Sequence, residues 1–92
     1  MASIDGAKYT NGTTSQAIKS GNGIVYGIIV NSHTSGTIKL WDNTSAASTV
    51  LCNTITLASG PQVLNFPASG VSFNTGLFIT VGGTIDYTII WK

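Results

Sequence analysis

The side chains that could do chemistry in this chain are few and lie far apart. The 92 residues contain four Lys, three Asp and one His but no Arg or Glu, and the formal net charge is +1. Most catalysis and most metal or phosphate binding need clustered ionisable groups. Nucleic-acid recognition likewise depends on clustered Lys and Arg. The composition therefore argues against an enzyme and against a nucleic-acid-binding protein.

His33 is the only histidine and hence the only candidate general base near neutral pH. Ser32 precedes it and Asp42 follows further along the chain, so the residues of a Ser–His–Asp triad are present. However, adjacent side chains of an extended chain point in opposite directions, and the chain has no G-x-S-x-G turn. We therefore predict no catalytic residue, and we interpret His33 as a loop histidine or an interface contact.

The metal-binding residue types are equally scattered. One His, the single Cys52 and three separated Asp residues match no zinc spacing, and no D-x-D-x-D-G calcium loop is present. A lone cysteine also excludes an intramolecular disulfide, and we expect Cys52 to be a buried strand residue. The sequence predicts neither a metal site nor a cofactor.

Trp41 is the most informative aromatic residue. In the alternating segment 37–43 it shares a face with Lys39, whereas Ile38 and Leu40 share the opposite face. An outward Trp can anchor a protein–protein contact, pack beneath a loop or the N-terminal arm, or stack on a sugar ring beside Asp42. We take Trp41, Lys39, His33 and Tyr9 as candidate interface residues.

The elements that must position these side chains are β-strands. No segment has a 3.6-residue apolar period with helix caps. Residues 24–31 are apolar on both faces, which is typical of a central strand covered on both sides, and Gly82-Gly83 indicates a hairpin turn between the last two strands. Strands are predicted at residues 15–19, 24–31, 37–43, 49–57, 62–66, 77–81 and 84–91.

This spacing predicts an all-β fold: a single small antiparallel β-sandwich, jelly-roll or Ig-like, with about seven strands. Residues 15–92 form the domain. Residues 1–14 contain little large apolar surface, so we expect an N-terminal arm that is flexible or ordered by a partner. The N-terminus resembles no signal peptide, and the run at residues 24–30 is too short to span a membrane. Synthesis in the cytoplasm is the expectation.

Two segments resemble small virion proteins of tailed bacteriophages. They are GIIVNSHTSGTIKLWDNTSA at residues 27–46 and VSFNTGLFITVGGTIDYTIIWK at residues 71–92. The resemblance implies a small, uncharged β-sandwich that is a structural component of the head or tail, and it brings no catalytic residue with it.

The resulting expectation is a non-enzymatic structural protein of a phage virion, made in the host cytoplasm. The leading role is a capsid decoration or cement subunit that binds the major capsid protein or other virion proteins. It would also bind itself as a homo-oligomer, with a trimer favoured. The alternative is a carbohydrate-binding or receptor-binding module of a phage tail. Neither a nucleic-acid nor a membrane partner is expected.

Overall fold

The structure consists of β-strands joined by turns. The computed structural model describes residues 6–67 and 69–92, and no helix occurs among them. All strand pairs are antiparallel. The seven strands are β1 (Lys8–Gly12), β2 (Gln16–Ser20), β3 (Gly23–Trp41), β4 (Val50–Thr56), β5 (Gln62–Asn65), β6 (Val71–Phe73) and β7 (Gly76–Trp91).

Two long strands form the centre of one continuous sheet. β3 has 19 residues and β7 has 16, and they pair from Val25 opposite Trp91 to Trp41 opposite Phe78. β1 and β2 follow one another along the other side of β7. β4, β5 and β6 follow one another along the other side of β3. The sheet therefore has four rows of strand, of which β7 and β3 are the inner two.

The sheet folds back on itself, because its two central strands, if they were straight, would be longer than the molecule. At about 3.3 Å per residue, a straight strand as long as β7 would span roughly 50 Å. The longest principal extent of the molecule is only 32 Å. The turn after β2 and the start of β3 also contact the residues that flank β7: Gly21 N–H donates to Thr75 O at 2.9 Å, and Ile24 N–H donates to Lys92 O at 2.9 Å. The two ends of β7 are therefore close together.

Folding divides the sheet into two halves. The first half-sheet contains β1, β5, β6, residues 23–34 of β3 and residues 84–91 of β7. The second half-sheet contains β2, β4, residues 37–41 of β3 and residues 76–81 of β7. Both halves contribute to one hydrophobic cluster, whose fully buried members include Val25, Ile28, Val30, Ile38, Leu40, Leu77, Ile79, Ile85, Tyr87 and Ile89.

The fold-back lies where a hairpin turn was predicted. Gly83 has φ +71°, and a Cβ placed there would lie 2.6 Å from the carbonyl oxygen of Thr34. The β3–β7 register shifts at the same level, between Thr34 and Thr37. Only glycine allows the two backbones to approach this closely. The predicted hairpin is therefore wrong: residues 76–91 form one bent strand, and residues 31–36, predicted as a loop, lie within β3.

The predicted all-β class with seven antiparallel strands is confirmed, and the folded sheet is compatible with a small β-sandwich. The predicted arm needs correction, because Lys8–Gly12 pairs in register with β7 as part of the sheet. Residues 1–5 lie outside the described residues. In the final strand, Ile85, Tyr87 and Ile89 alternate with outward residues and are buried. The expected coverage of residues 24–31 on both faces is wrong, since Ile29 is 38% exposed.

Candidate interaction surfaces

Trp41 and Lys39 lie together on the outer side of the second half-sheet, because their neighbours Ile38 and Leu40 point into the core. The indole N–H of Trp41 donates to Thr80 Oγ1 at 2.9 Å. Lys39 Nζ lies 4.4 Å from the centroid of the Trp41 ring, within the range of a cation–π contact. Trp41 is only half-buried, but one face of its ring and its polar hydrogen already have partners within the chain.

Tyr9 lies on the outer side of the first half-sheet and is 69% exposed. Its cross-strand neighbour is Ile90, which in turn lies opposite Gly27. In the adjacent row, Ile29 lies opposite Val63 of β5, and Val63 is 58% exposed. Residues paired in this way point to the same side of a sheet. We call this set the outer apolar face: Tyr9, Tyr26, Ile29, Val63 and Ile90.

A shallow cavity of about 210 Å³ lies within the outer apolar face. Gly27 forms its floor, where a Cβ would lie only 2.7 Å from the carbonyl oxygen of Leu64. The missing side chain thus leaves a depression between larger neighbours. The cavity is lined by Tyr26, Gly27, Ile28, Ile29, Val63, Asn65 and Ile90.

His33 lies apart from both surfaces, at the level of the fold-back. Gly36 N–H donates to His33 Nδ1 at 3.0 Å, and His33 Nε2 is hydrogen-bonded to the carbonyl oxygen of Ala58. In this pattern Nδ1 accepts a hydrogen bond and Nε2 donates one. The side-chain amide of Gln62 also donates to Ala58 O, at 2.7 Å. His33 therefore joins the fold-back to the turn after β4, and its role as an interface residue stays a prediction.

The remaining reactive groups have structural partners. Asp42 accepts hydrogen bonds from the N–H groups of Thr75, Asn74 and Gly76, and the bond from Thr75 is the main reason that its pKa lies below the ordinary value. Cys52 is half-buried in β4, and burial raises the pKa of its thiol.

Within residues 6–67 and 69–92, no three His, Cys or Asp side chains come together as metal ligands. The same residues contain no helix long and apolar enough to cross a membrane.

The structure brings Trp41 and Lys39 together and keeps Tyr9 and His33 apart from them. Ile29 was not predicted as a surface residue because residues 24–31 were expected to be covered on both faces, and Val63, in the strand predicted at residues 62–66, was not predicted as one either. The alternation of Gln62, Val63, Leu64 and Asn65 was the available signal that Val63 points outward.

Comparison of the chain with protein-family models, with curated proteins and with solved structures finds no match.

Proposed function

We propose that this protein is a non-enzymatic structural subunit that binds copies of itself and neighbouring proteins through the outer apolar face. The observation that carries the proposal is the exposure of Tyr9 (69%), Val63 (58%) and Ile29 (38%) on one side of the first half-sheet. Contiguous exposed apolar side chains are typical of protein-binding surfaces. Charged residues are depleted at the centre of such interfaces, which suits a chain whose charged fraction is 8%.

The strand edges suggest how copies associate. Tyr9 lies on β1 and Val63 on β5, the outermost rows of the first half-sheet. Both strands pair in unshifted register with their inner neighbours, whereas β4 has two register shifts against β3. Bulges of that kind protect an edge from pairing with another chain. The regular edges of β1 and β5 are therefore better suited to main-chain pairing than the edge of β4.

In the proposed assembly, β1 of one subunit pairs with β5 of the next. The two strands are antiparallel within one subunit, so this contact extends the sheet as an antiparallel ladder. It also joins Tyr9 of one copy to the Val63 side of the next, which makes the outer apolar faces continuous. Contacts between two different edges generate a closed ring when the rotation permits. We propose a trimer.

The virion setting is supported by the resemblance of residues 27–46 and 71–92 to small phage structural proteins. In the fold these segments supply most of β3 and β7, the central pair of the sheet. We propose the role of a capsid decoration or cement subunit, with the major capsid protein or another virion protein as the neighbour. A glycan platform at Trp41 has less support, because Lys39 lies against the ring.

Self-association is tested by sedimentation equilibrium of the purified chain and of two matched variants. Val63→Lys places a charge on the β5 edge, and Val50→Lys places the same charge on β4, at a residue that is 41% exposed. We expect a trimer for the parent chain and for Val50→Lys, and a monomer for Val63→Lys. A parent chain that is monomeric at micromolar concentration, or equal behaviour of the two variants, contradicts the proposed interface.

The virion assignment has its own test, which is separate from oligomeric state. Phage particles from the host that carries this gene are purified on a density gradient, and the protein is quantified by mass spectrometry. A constant ratio of this protein to the major capsid protein supports a structural role. Its absence from intact particles refutes the virion setting without affecting the trimer.

A further inference from the structure

Three of the four lysines meet at one end of the fold, around Trp91. Lys8 Nζ lies 5.8 Å and Lys19 Nζ 5.9 Å from the centroid of the Trp91 ring. Lys92 follows Trp91, and its side chain passes the start of β1, with Cε 3.7 Å from the Cβ position of Gly6. β1 and β2 both flank β7, so the fold gathers lysines that are distant in sequence. The positive charge of this end exceeds the net charge of +1 of the chain.

Both side-chain carboxylates of the described residues already have partners. Asp86 accepts a hydrogen bond from the side-chain amide of Asn31 at 3.1 Å, in the first half-sheet. Asp42 reaches the turn before β7, which adjoins the lysine-rich end, but its oxygens accept three backbone N–H groups there. Hydrogen bonds of this kind stabilise the carboxylate charge and reduce its need for a lysine partner.

A cavity of about 470 Å³ opens at this end of the fold. This volume falls within the usual range for a small-molecule site. Its lining includes Gly23, where a Cβ would come closest to the backbone carbonyl oxygen of Lys92 and would lie 2.7 Å from Phe73 Cζ and 3.1 Å from Lys19 Nζ. Glycine at this position therefore lets the Lys92 backbone approach β3 closely, with the Lys19 ammonium group beside it. The polar part of the lining is Lys19, Asn22, Ser72, Asn74 and Lys92.

We propose that this cavity binds a saccharide that carries a carboxylate, such as a uronic acid. The ammonium group of Lys19 supplies the charge, and the amides of Asn22 and Asn74 with the hydroxyl of Ser72 supply neutral partners for sugar hydroxyls. This is a binding activity separate from the outer apolar face, and it does not depend on the proposed assembly.

A carboxylate fits the cavity better than a phosphate does. Phosphate sites commonly use free backbone N–H groups or the paired N–H groups of arginine. Here the N–H groups of Gly21 and Ile24 are already bonded to Thr75 O and Lys92 O, and the chain contains no arginine. The remaining polar lining of the cavity, two amides and a hydroxyl, matches hydroxyl groups beside the anion.

The test is a titration of the ¹⁵N-labelled chain with glucuronic acid, followed by NMR. We expect saturable shifts at residues 19, 22–24 and 72–74, with affinity that falls as salt is added. Glucose, inorganic phosphate and a Glu-Glu dipeptide are the comparison ligands. Glucose lacks the carboxylate, and phosphate and the dipeptide lack the sugar hydroxyls. We expect each of them to bind more weakly than glucuronic acid.

Two lysine variants localise the binding. Lys19→Gln removes the ammonium group beside the cavity, and Lys39→Gln removes one on the outer side of the second half-sheet. We expect Lys19→Gln to weaken glucuronic acid binding about fivefold, the upper range for a partly exposed ion pair, and Lys39→Gln to leave it unchanged. Thermal melts of both variants establish that the fold is intact.

Three results would overturn the assignment. One is the absence of saturable shifts with glucuronic acid, and another is equal weakening by the two lysine variants. The third is affinity for glucose, phosphate or the dipeptide that equals the affinity for glucuronic acid, because the site would then not recognise an acidic sugar.

Discussion

Removal of a single hydroxyl group from Tyr87 should weaken the contact between the two half-sheets. The Tyr87 side chain is fully buried. Its hydroxyl donates to the carbonyl oxygen of Thr14 at 2.7 Å and accepts from Gln16 Nε2 at 2.8 Å. Tyr87 belongs to the first half-sheet and Gln16 to the second, so these bonds cross the interior of the fold.

The expected effect of Tyr87→Phe follows from these two bonds. A hydrogen bond contributes a net stabilisation of about 0.5–1.5 kcal/mol. Gln16 is half-buried and Thr14 is exposed, so both groups can regain water when the hydroxyl is lost. We therefore expect a loss of about 1.5 kcal/mol in the free energy of unfolding. For a domain of this size, that loss lowers Tm by roughly 6–12 °C.

The assay is urea and thermal unfolding of the parent chain, Tyr87→Phe and Tyr9→Phe. Tyr9→Phe makes the same chemical change at a side chain that is 69% exposed, and it should alter stability by less than about 0.5 kcal/mol. Equal stability of the three proteins, or equal losses in the two variants, would refute the role assigned to the Tyr87 hydroxyl.

Alkaline pH provides a second readout of the same group. Burial raises the pKa of Tyr87, and the hydrogen bond from Gln16 opposes this increase in part. The unfolded chain then releases the phenol proton at a lower pH than the folded chain. The stabilisation is complete below about pH 10, the ordinary tyrosine value, and is lost as pH rises through the higher folded pKa. Tyr87→Phe should lack this component of the alkaline decline.

Two other predictions concern the fold-back and the turn before β7. Gly83→Ala should destabilise the chain by about 1–3 kcal/mol more than Gly60→Ala, since both glycines have positive φ but only at Gly83 does the added methyl meet backbone; equal Tm losses would contradict the close approach. Asp42 has a lowered pKa, chiefly through the N–H of Thr75, so its stabilisation is present above about pH 4 and lost as pH falls through the folded pKa. In urea unfolding measured at several pH values, the free energy of unfolding of Asp42→Asn should decrease less at acid pH than that of the parent chain. An equal decrease in the two proteins would contradict the stabilising role of the Asp42 carboxylate.

The strand content was predictable because one face of each inner strand is buried. In residues 84–91 the alternating pattern places Ile85, Tyr87 and Ile89 on one face, and all three are buried. The role of Gly82-Gly83 was not predictable in the same way. Two glycines between apolar strands are compatible with a hairpin or with a bend, and here β3 continues along β7 on both sides of Gly83. The local sequence around Gly82-Gly83 contains no information about the pairing of β3 with β7.

The candidate surfaces were predictable only in part. The sequence identified Trp41 as an outward aromatic residue and Tyr9 as a candidate interface residue. It could not identify the outer apolar face, because an apolar residue such as Ile29 has the same pattern whether its own chain or another protein covers it. The lysine-rich end was hidden for a different reason. Lys8, Lys19 and Lys92 meet only because β1 and β2 both pair with β7.

The position of β7 between β1 and β3 has a consequence for protein synthesis. Until β7 has left the ribosome, β1 and β2 have no strand beside them and β3 lacks its principal partner. β4, β5 and β6 can pair with β3 before β7 emerges, but the pairing of β1 and β2 begins late. It depends on contacts between residues as distant as Lys8 and Trp91, which form slowly because long loops must close. During this interval the nascent chain exposes an uncharged, β-prone segment over residues 24–31, and chains on neighbouring ribosomes can pair with it. Slow translation or a truncated message should thus favour aggregation of this protein.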